Sequence, residues 1–153
     1  MRIYLAGGLF TLAERLFNNE LATQLRLKGY AVFNPQENEP REFSTGAIFT
    51  MDKSGIDRSD VILANMDGAD PDSGTAWECG YGYAKGKMVV TYRTDFRSVG
   101  EAKLCEYNIM LWEGSDHRVL LSCLMCPTIE VLANTLDQAL QNTRHVSLTQ
   151  KAV

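Results

Sequence analysis

Short runs of apolar, strand-forming residues alternate along the chain with longer stretches in which apolar residues return every three or four positions. Arg2 to Ala6 is the first such run, and Gly7-Gly8 after it marks a turn. From Thr11 to Lys28, Leu12, Leu16, Phe17, Leu21 and Leu25 recur at helical spacing, and Gly29 stops the helix. Tyr30 to Asn34 predicts a second strand closed by Pro35, Gln36 to Ser44 a long polar loop, and Thr45 to Arg58 a second helix. Asp60 to Met66 reads as a buried strand and Asp67 to Gly74 as a loop dense in aspartate, proline and glycine. Thr75 to Lys85 is a helix stopped by Gly86, and Lys87 to Tyr92 a fourth strand. Beyond Arg93 the pattern predicts a helical stretch over Gly100 to Leu111, a strand over Arg118 to Leu124 and a last helix over Thr128 to Asn142. Thr143 to Val153 carries no clear periodicity.

Strands and helices alternating at about 25 to 30 residues per unit predict an α/β fold, with one parallel sheet and helices on both faces. The expectation is a single-domain, open, doubly wound sheet of about five strands, flavodoxin-like in its winding. It spans residues 1–142, with residues 143–153 as a C-terminal tail.

Composition narrows the function. The net charge of −4, a pI near 5.2 and the absence of any lysine or arginine block disfavour nucleic-acid binding. Apolar stretches such as Val119 to Met125 are far shorter than the roughly 20 residues of a membrane span. Met1 runs directly into strand-like sequence without a signal-peptide pattern, so a soluble, cytoplasmic protein without membrane partners is expected. The four cysteines are expected to be reduced thiols. Cys123-x-x-Cys126 stands alone without a histidine pair, and Leu124 and Met125 between them suggest buried, structural cysteines. His117 and His145 pair with no nucleophile and receive no role.

Ligands of open parallel sheets bind beyond the carboxyl ends of the strands. Three segments fall there: Gly7-Gly8-Leu9-Phe10, Gln36-Glu37-Asn38-Glu39, and Asp67 through Glu78. The Gly7-Gly8 loop lacks the G-x-G-x-x-G and G-x-x-x-x-G-K-[ST] patterns; it is either a tight turn or a place where a ligand meets bare backbone. Asp67, Asp70 and Asp72 do not meet the calcium-loop pattern, and no metal is expected. Gly74, Glu78 and Gly82 are spaced at i, i+4 and i+8, which puts Glu78 between two glycines on one helix face. Either that face leaves room for a ligand ring, or Glu78 is a solvated carboxylate near a helix N-terminus and the glycines serve packing.

Taken in order, Ile3 to Phe10, Asp52 ahead of Gly55-Ile56, Asp72 to Gly80 and Asn108-Ile109-Met110 resemble the nucleoside 2-deoxyribosyltransferase family. The likeness runs to about residue 114; residues 115–153 match the family pattern poorly. It implies that Glu78 is the nucleophile that attacks the anomeric carbon, with Tyr4 orienting it, and that Asp52 is the acid facing the nucleobase. It also implies that Asp72 holds sugar hydroxyls and that Gly7, Gly8, Leu9 and Phe10 border the base. Glu39 then falls near a base-contacting position, where its acidic group departs from the pattern. Asn108 and Met110 would complete a neighbouring subunit's site, Asn108 reaching the 5′-hydroxyl, in a homo-oligomer with shared sites. The partners implied are deoxynucleosides and free nucleobases, with no cofactor and no metal.

The chemistry is consistent with these residue types. Breaking an N-glycosidic bond develops oxocarbenium character on the sugar and negative charge on the base, so a carboxylate must face C1′ and an acid the base. A related family of hydrolases, acting on deoxynucleoside 5′-monophosphates, has a serine where Asp72 stands. A carboxylate there repels a phosphate dianion, which favours an unphosphorylated nucleoside. A module that binds nucleotides without turnover is the remaining alternative, and it has no use for a nucleophile such as Glu78.

Overall fold

The structure is a computed structural model that describes residues 1–150 except 39, 41–43, 102–103 and 126–127, and gives the backbone alone for 143–150. Its five strands are β1 (Arg2–Ala6), β2 (Ala31–Phe33), β3 (Val61–Asn65), β4 (Met88–Arg93) and β5 (His117–Leu120), and they form one parallel sheet in the order β2-β1-β3-β4-β5. Helices α1 (Leu12–Leu27) and α5 (Ile129–Gln150) cover one face; α2 (Thr45–Asp57), α3 (Ser73–Ala84) and the short α4 (Ile109–Glu113) cover the other. This is the open, doubly wound α/β sheet the alternation predicts. Strand order reverses beside β1, so the loops leaving β1 and β3 diverge there and open the crevice in which such sheets take ligands.

The central strands β1, β3 and β4 are buried on both faces, which explains their apolar runs. Successive side chains point to opposite faces. Ile3, Leu5, Val61, Leu63, Val90 and Tyr92 therefore pack with α1 and α5. Tyr4, Ala6, Ile62, Ala64 and Val89 pack with α2 and α3. Helix α1 starts at a capping box: Thr11 Oγ1 accepts from the Glu14 N–H at 3.2 Å, and the Glu14 carboxylate accepts from the backbone N–H of Thr11 at 2.7 Å and of Phe10 at 3.0 Å. The donors at this helix terminus are thus taken up within the chain, which fits the lack of a phosphate-loop pattern.

Several boundaries differ from the sequence expectation. The buried stripe of α1 is Asn18, Leu21, Ala22 and Leu25; Leu12 and Leu16 turn outward, at 74% and 60% exposure. The helix expected over Gly100 to Leu111 shrinks to Ile109–Glu113. Before it the chain folds back on itself, with the Val99 N–H donating to the Glu106 carbonyl. Asn108 has a non-helical backbone, at φ −42° and ψ 128°, and is the N-cap of this short helix. The strand expected to Leu124 ends at Leu120, because the Met125 N–H closes a turn on the Ser122 carbonyl. That turn leaves Cys123, Leu124 and Met125 exposed, which overturns the buried stretch expected there; Cys126 lies outside the described residues. The last helix continues through Gln150 because no glycine or proline interrupts the sequence after Thr128.

Candidate active site

Tyr4 sits inside β1 with no exposed surface, and its hydroxyl donates to Glu78 Oε1 at 2.5 Å. The bond links positions 74 residues apart, and it exists because β1 is central in the sheet and α3 crosses its α2/α3 face. Helix α3 comes close at Gly82, where a Cβ would stand 2.6 Å from Ile62 Cγ1 on β3. This glycine serves helix-on-sheet packing. Glu78 itself is sheltered and hydrogen-bonded rather than a solvated carboxylate.

The electrostatics follow from the shelter. Burial pushes the Glu78 carboxyl up to about 8; the Tyr4 hydrogen bond pulls against this, and the negative charges of Asp52 and Asp72 add to the rise. Burial, then the Glu78 charge, hold the Tyr4 phenol firmly protonated, so it serves as donor. Asp52 comes from α2, and burial alone pushes its carboxyl up to about 6. Its Oδ1 is buried without a hydrogen-bond partner. A buried carboxyl oxygen with no partner is costly to keep ionised, and it is free to hold a proton for, or accept one from, a bound molecule. Two sheltered carboxyls with raised proton affinity, Glu78 from α3 and Asp52 from α2, thus lie within electrostatic reach of each other beside Tyr4 of β1.

Asp72 is the N-cap of α3: its Oδ2 accepts from the Thr75 N–H at 3.0 Å, which fixes its place at the mouth of the crevice. The loop that carries it is itself pinned. Asp67 accepts from the N–H groups of Thr94 at 2.5 Å and Asp95 at 2.7 Å and from the Thr94 hydroxyl at 2.7 Å. The buried Arg93 guanidinium donates to the carbonyls of Met66 and Gly68. Gly8, Asn18, Asn65, Asp67, Asp72 and Thr94 line a depression of about 510 Å³ at the strand ends. Gly7 lies against Asn65, Leu9 is half-buried, and Phe10 is exposed. Glu39 lies outside the described residues.

Asn108 and Met110 do not join this cluster. Asn108 caps α4 by accepting from the Met110 N–H at 3.0 Å, and Met110 is 79% exposed. Both line a cavity of about 600 Å³ between α3 and α4, walled also by Ala76, Cys79, Gly80 and Tyr83. Glu78 and Asp52 are in neither wall. Among the described residues no three histidine, cysteine or acidic side chains gather as metal ligands, and no helix is long and apolar enough to cross a membrane. The sequence reading passed over Phe33, whose ring stacks on Tyr4; the signal was its position at the end of β2, in register with Tyr4.

A family model described as nucleoside 2-deoxyribosyltransferase matches residues 3–122. No curated protein matches the chain. Among solved structures, a conserved protein from Enterococcus faecalis is 28% identical, with a TM-score of 0.70 over 91% of this chain and 98% of its own. A 2-deoxyribosyltransferase from Bacillus psychrosaccharolyticus is 27% identical, with a TM-score of 0.63 over 77% of this chain and 85% of its own. A CMP N-glycosidase from Clostridium botulinum, 20% identical over 91% of this chain and 99% of its own, shares the fold at a TM-score of 0.63. The match over residues 3–122, with the five-stranded sheet and the Tyr4, Asp52 and Glu78 cluster inside it, places the chain in the nucleoside 2-deoxyribosyltransferase family.

Proposed function

We propose that the chain exchanges the nucleobase of 2′-deoxyribonucleosides through a covalent 2-deoxyribosyl-Glu78 intermediate. One observation carries the reading: a sheltered Glu78 held by the Tyr4 hydroxyl lies within electrostatic reach of Asp52, whose buried Oδ1 has no partner. A Glu78 oxygen attacks C1′ as the C1′–N bond breaks, and the Asp52 proton passes to the departing base. An incoming base then attacks C1′ from the face the first one left and returns a proton to Asp52, freeing Glu78. Two inversions give net retention, and the order of events gives ping-pong kinetics.

The remaining roles belong to the same proposal. Asp72, with Oδ2 committed to the helix cap, offers Oδ1 to a sugar hydroxyl. Gly7, Gly8, Leu9 and Phe10 border the base. Asn108 and Met110, held away from their own Glu78, serve the site of a second copy in a homo-oligomer. Mixing inactive Glu78→Ala and Asn108→Ala chains should then restore activity through hybrid sites. No recovery after confirmed subunit exchange would remove the shared site.

The deciding assay is chromatography of the protein with deoxyinosine or thymidine, each with and without adenine or cytosine. A new deoxynucleoside formed only with acceptor is the expected result. Free base released equally with and without acceptor would make the chain a hydrolase. Cleavage confined to deoxynucleoside 5′-monophosphates would overturn the argument that Asp72 repels a phosphate.

A further inference from the structure

Phe33 ends β2 in register beside Tyr4. Its ring stacks on the Tyr4 ring, with centroids 5.5 Å apart and planes 13° from parallel. The same ring also meets α2. A Cβ built on Gly55 would stand 2.7 to 2.9 Å from Phe33 Cε1, Cδ1 and Cζ, so the helix backbone reaches the ring only because residue 55 has no side chain. Gly55 follows Asp52 by three residues, close to one turn of the same helix. One aromatic ring thus touches both the residue that bonds Glu78 and the turn that carries Asp52.

We propose that Phe33 is a positioning residue: its ring holds the Tyr4 hydroxyl on the Glu78 carboxylate and sets the depth at which the Asp52 turn of α2 lies on the sheet. A flat ring face limits rocking of the Tyr4 ring, which an aliphatic side chain of similar volume does not do. A 2.5 Å hydrogen bond weakens steeply when its donor tilts. The proposal rests on the roles given above to Tyr4, Asp52 and Glu78, but its geometry is independent of which base is transferred.

The test follows the Glu78 carboxyl directly, by ¹³C NMR of protein labelled at the glutamate side-chain carboxyl, with the Glu78 signal assigned by its loss in Glu78→Gln. The groups that face this carboxyl are Tyr4 from β1, Asp52 from α2, and Asp72 and Cys79 from α3. The wild-type midpoint is expected near 8, and Tyr4→Phe should raise it, since the hydrogen bond favours the charged form. Phe33→Leu should raise it by at least about half as much, and Phe33→Tyr, which keeps the ring face, should stay within about 0.2 of wild type. An unchanged midpoint in a folded Phe33→Leu protein, with Tyr4→Phe shifted, would reduce Phe33 to core filling and overturn the proposal. If Phe33→Leu does not fold, Gly55→Ala decides the matter: the new methyl must displace the ring, and the midpoint must rise. No rise there overturns the proposal equally. The titration needs no turnover, so failure of the base-exchange assay would sink the functional reading while leaving this result to stand or fall by itself.

Discussion

The two faces of the sheet are built from alternate residues of the same strands, yet they bury opposite kinds of group. Toward α1 and α5, Ile3, Leu5, Leu63 and Val90 meet Leu21, Leu25, Leu132 and Leu136 in an apolar layer. Toward α2 and α3, the next residues along the strands bury Tyr4 beside Glu78 and Asp52, two carboxyls that burial holds protonated well above the ordinary range. The first face lowers the free energy of the fold. The second spends part of that stability to keep a carboxylate out of water, where it is reactive toward a developing cation.

The comparison is broken most sharply at Glu78. Glu78→Ala removes the oxygen proposed to attack C1′ while deleting no apolar contact of the opposite layer. Base exchange and hydrolysis should both fall by roughly a thousandfold or more, within reach of what loss of a nucleophile costs other enzymes. Activity above a trace in steady-state assays would move the nucleophile elsewhere.

Asp52 gives the next effect. In the proposed mechanism the reactive form has Glu78 ionised and Asp52 protonated, so the pair must hold one proton. With Asp52 near 6 and Glu78 near 8, kcat/KM should trace a bell with limbs at about those values. At pH 7 that proton rests mostly on Glu78, and the reactive arrangement is the minor one of the two. Asp52→Asn leaves a single requirement, an ionised Glu78. The alkaline limb should therefore vanish, and the rate should drop roughly a hundredfold, the usual contribution of a general acid. A bell that survives the substitution would assign the alkaline limb to another group.

The opposite face should respond in stability alone. Leu25→Ala deletes a fully buried side chain of α1 and should cost about 3 kcal/mol in urea unfolding, as cavity-forming substitutions do. The limbs of the pH profile of the remaining folded protein should stay where they are. Movement of the limbs would mean that the apolar layer also tunes the carboxyls.

How much of this was legible along the chain depended on the range of the interactions. The strands could be read because a parallel strand buried on both faces is a short unbroken apolar run, as Val61 to Ala64 shows. Glu78 stood out by residue type and by its place after a strand end, whereas Asp52, inside α2, stood out only through the family resemblance. Glycine spacing left two readings open, and at Gly82 the packing one fits: its missing Cβ makes room for Ile62, a partner twenty residues away that helical periodicity could not name. The segment before Asn108 was misread as helix because its fold is set by a non-local bond from the Val99 N–H to the Glu106 carbonyl. Phe33 drew no notice because its partner in stacking is fixed only by the register of β1 against β2.

The smallest effect sharpens the comparison on the scale of stability. A carboxyl whose folded value is raised binds a proton in the native state that the unfolded chain has already released, so stability falls as pH rises between the two values. For Glu78 that window runs from about 4.3 in the unfolded chain to about 8 in the fold. Glu78→Gln keeps an oxygen for the Tyr4 hydroxyl and carries no charge at any pH. Near pH 4 the variant and the wild type should unfold at similar urea concentrations. At pH 6 the variant should be more stable, by an amount on the order of 2 kcal/mol. Asp52→Asn should flatten the same curve over a lower window ending near 6, because its carboxyl is raised less. Leu25→Ala should shift the whole curve down without changing its slope, since no titrating group of the site touches that layer. A Glu78→Gln protein whose stability declined with pH as steeply as the wild type would show that the strain lies in some other group, and the division of labour between the two faces would fail with it.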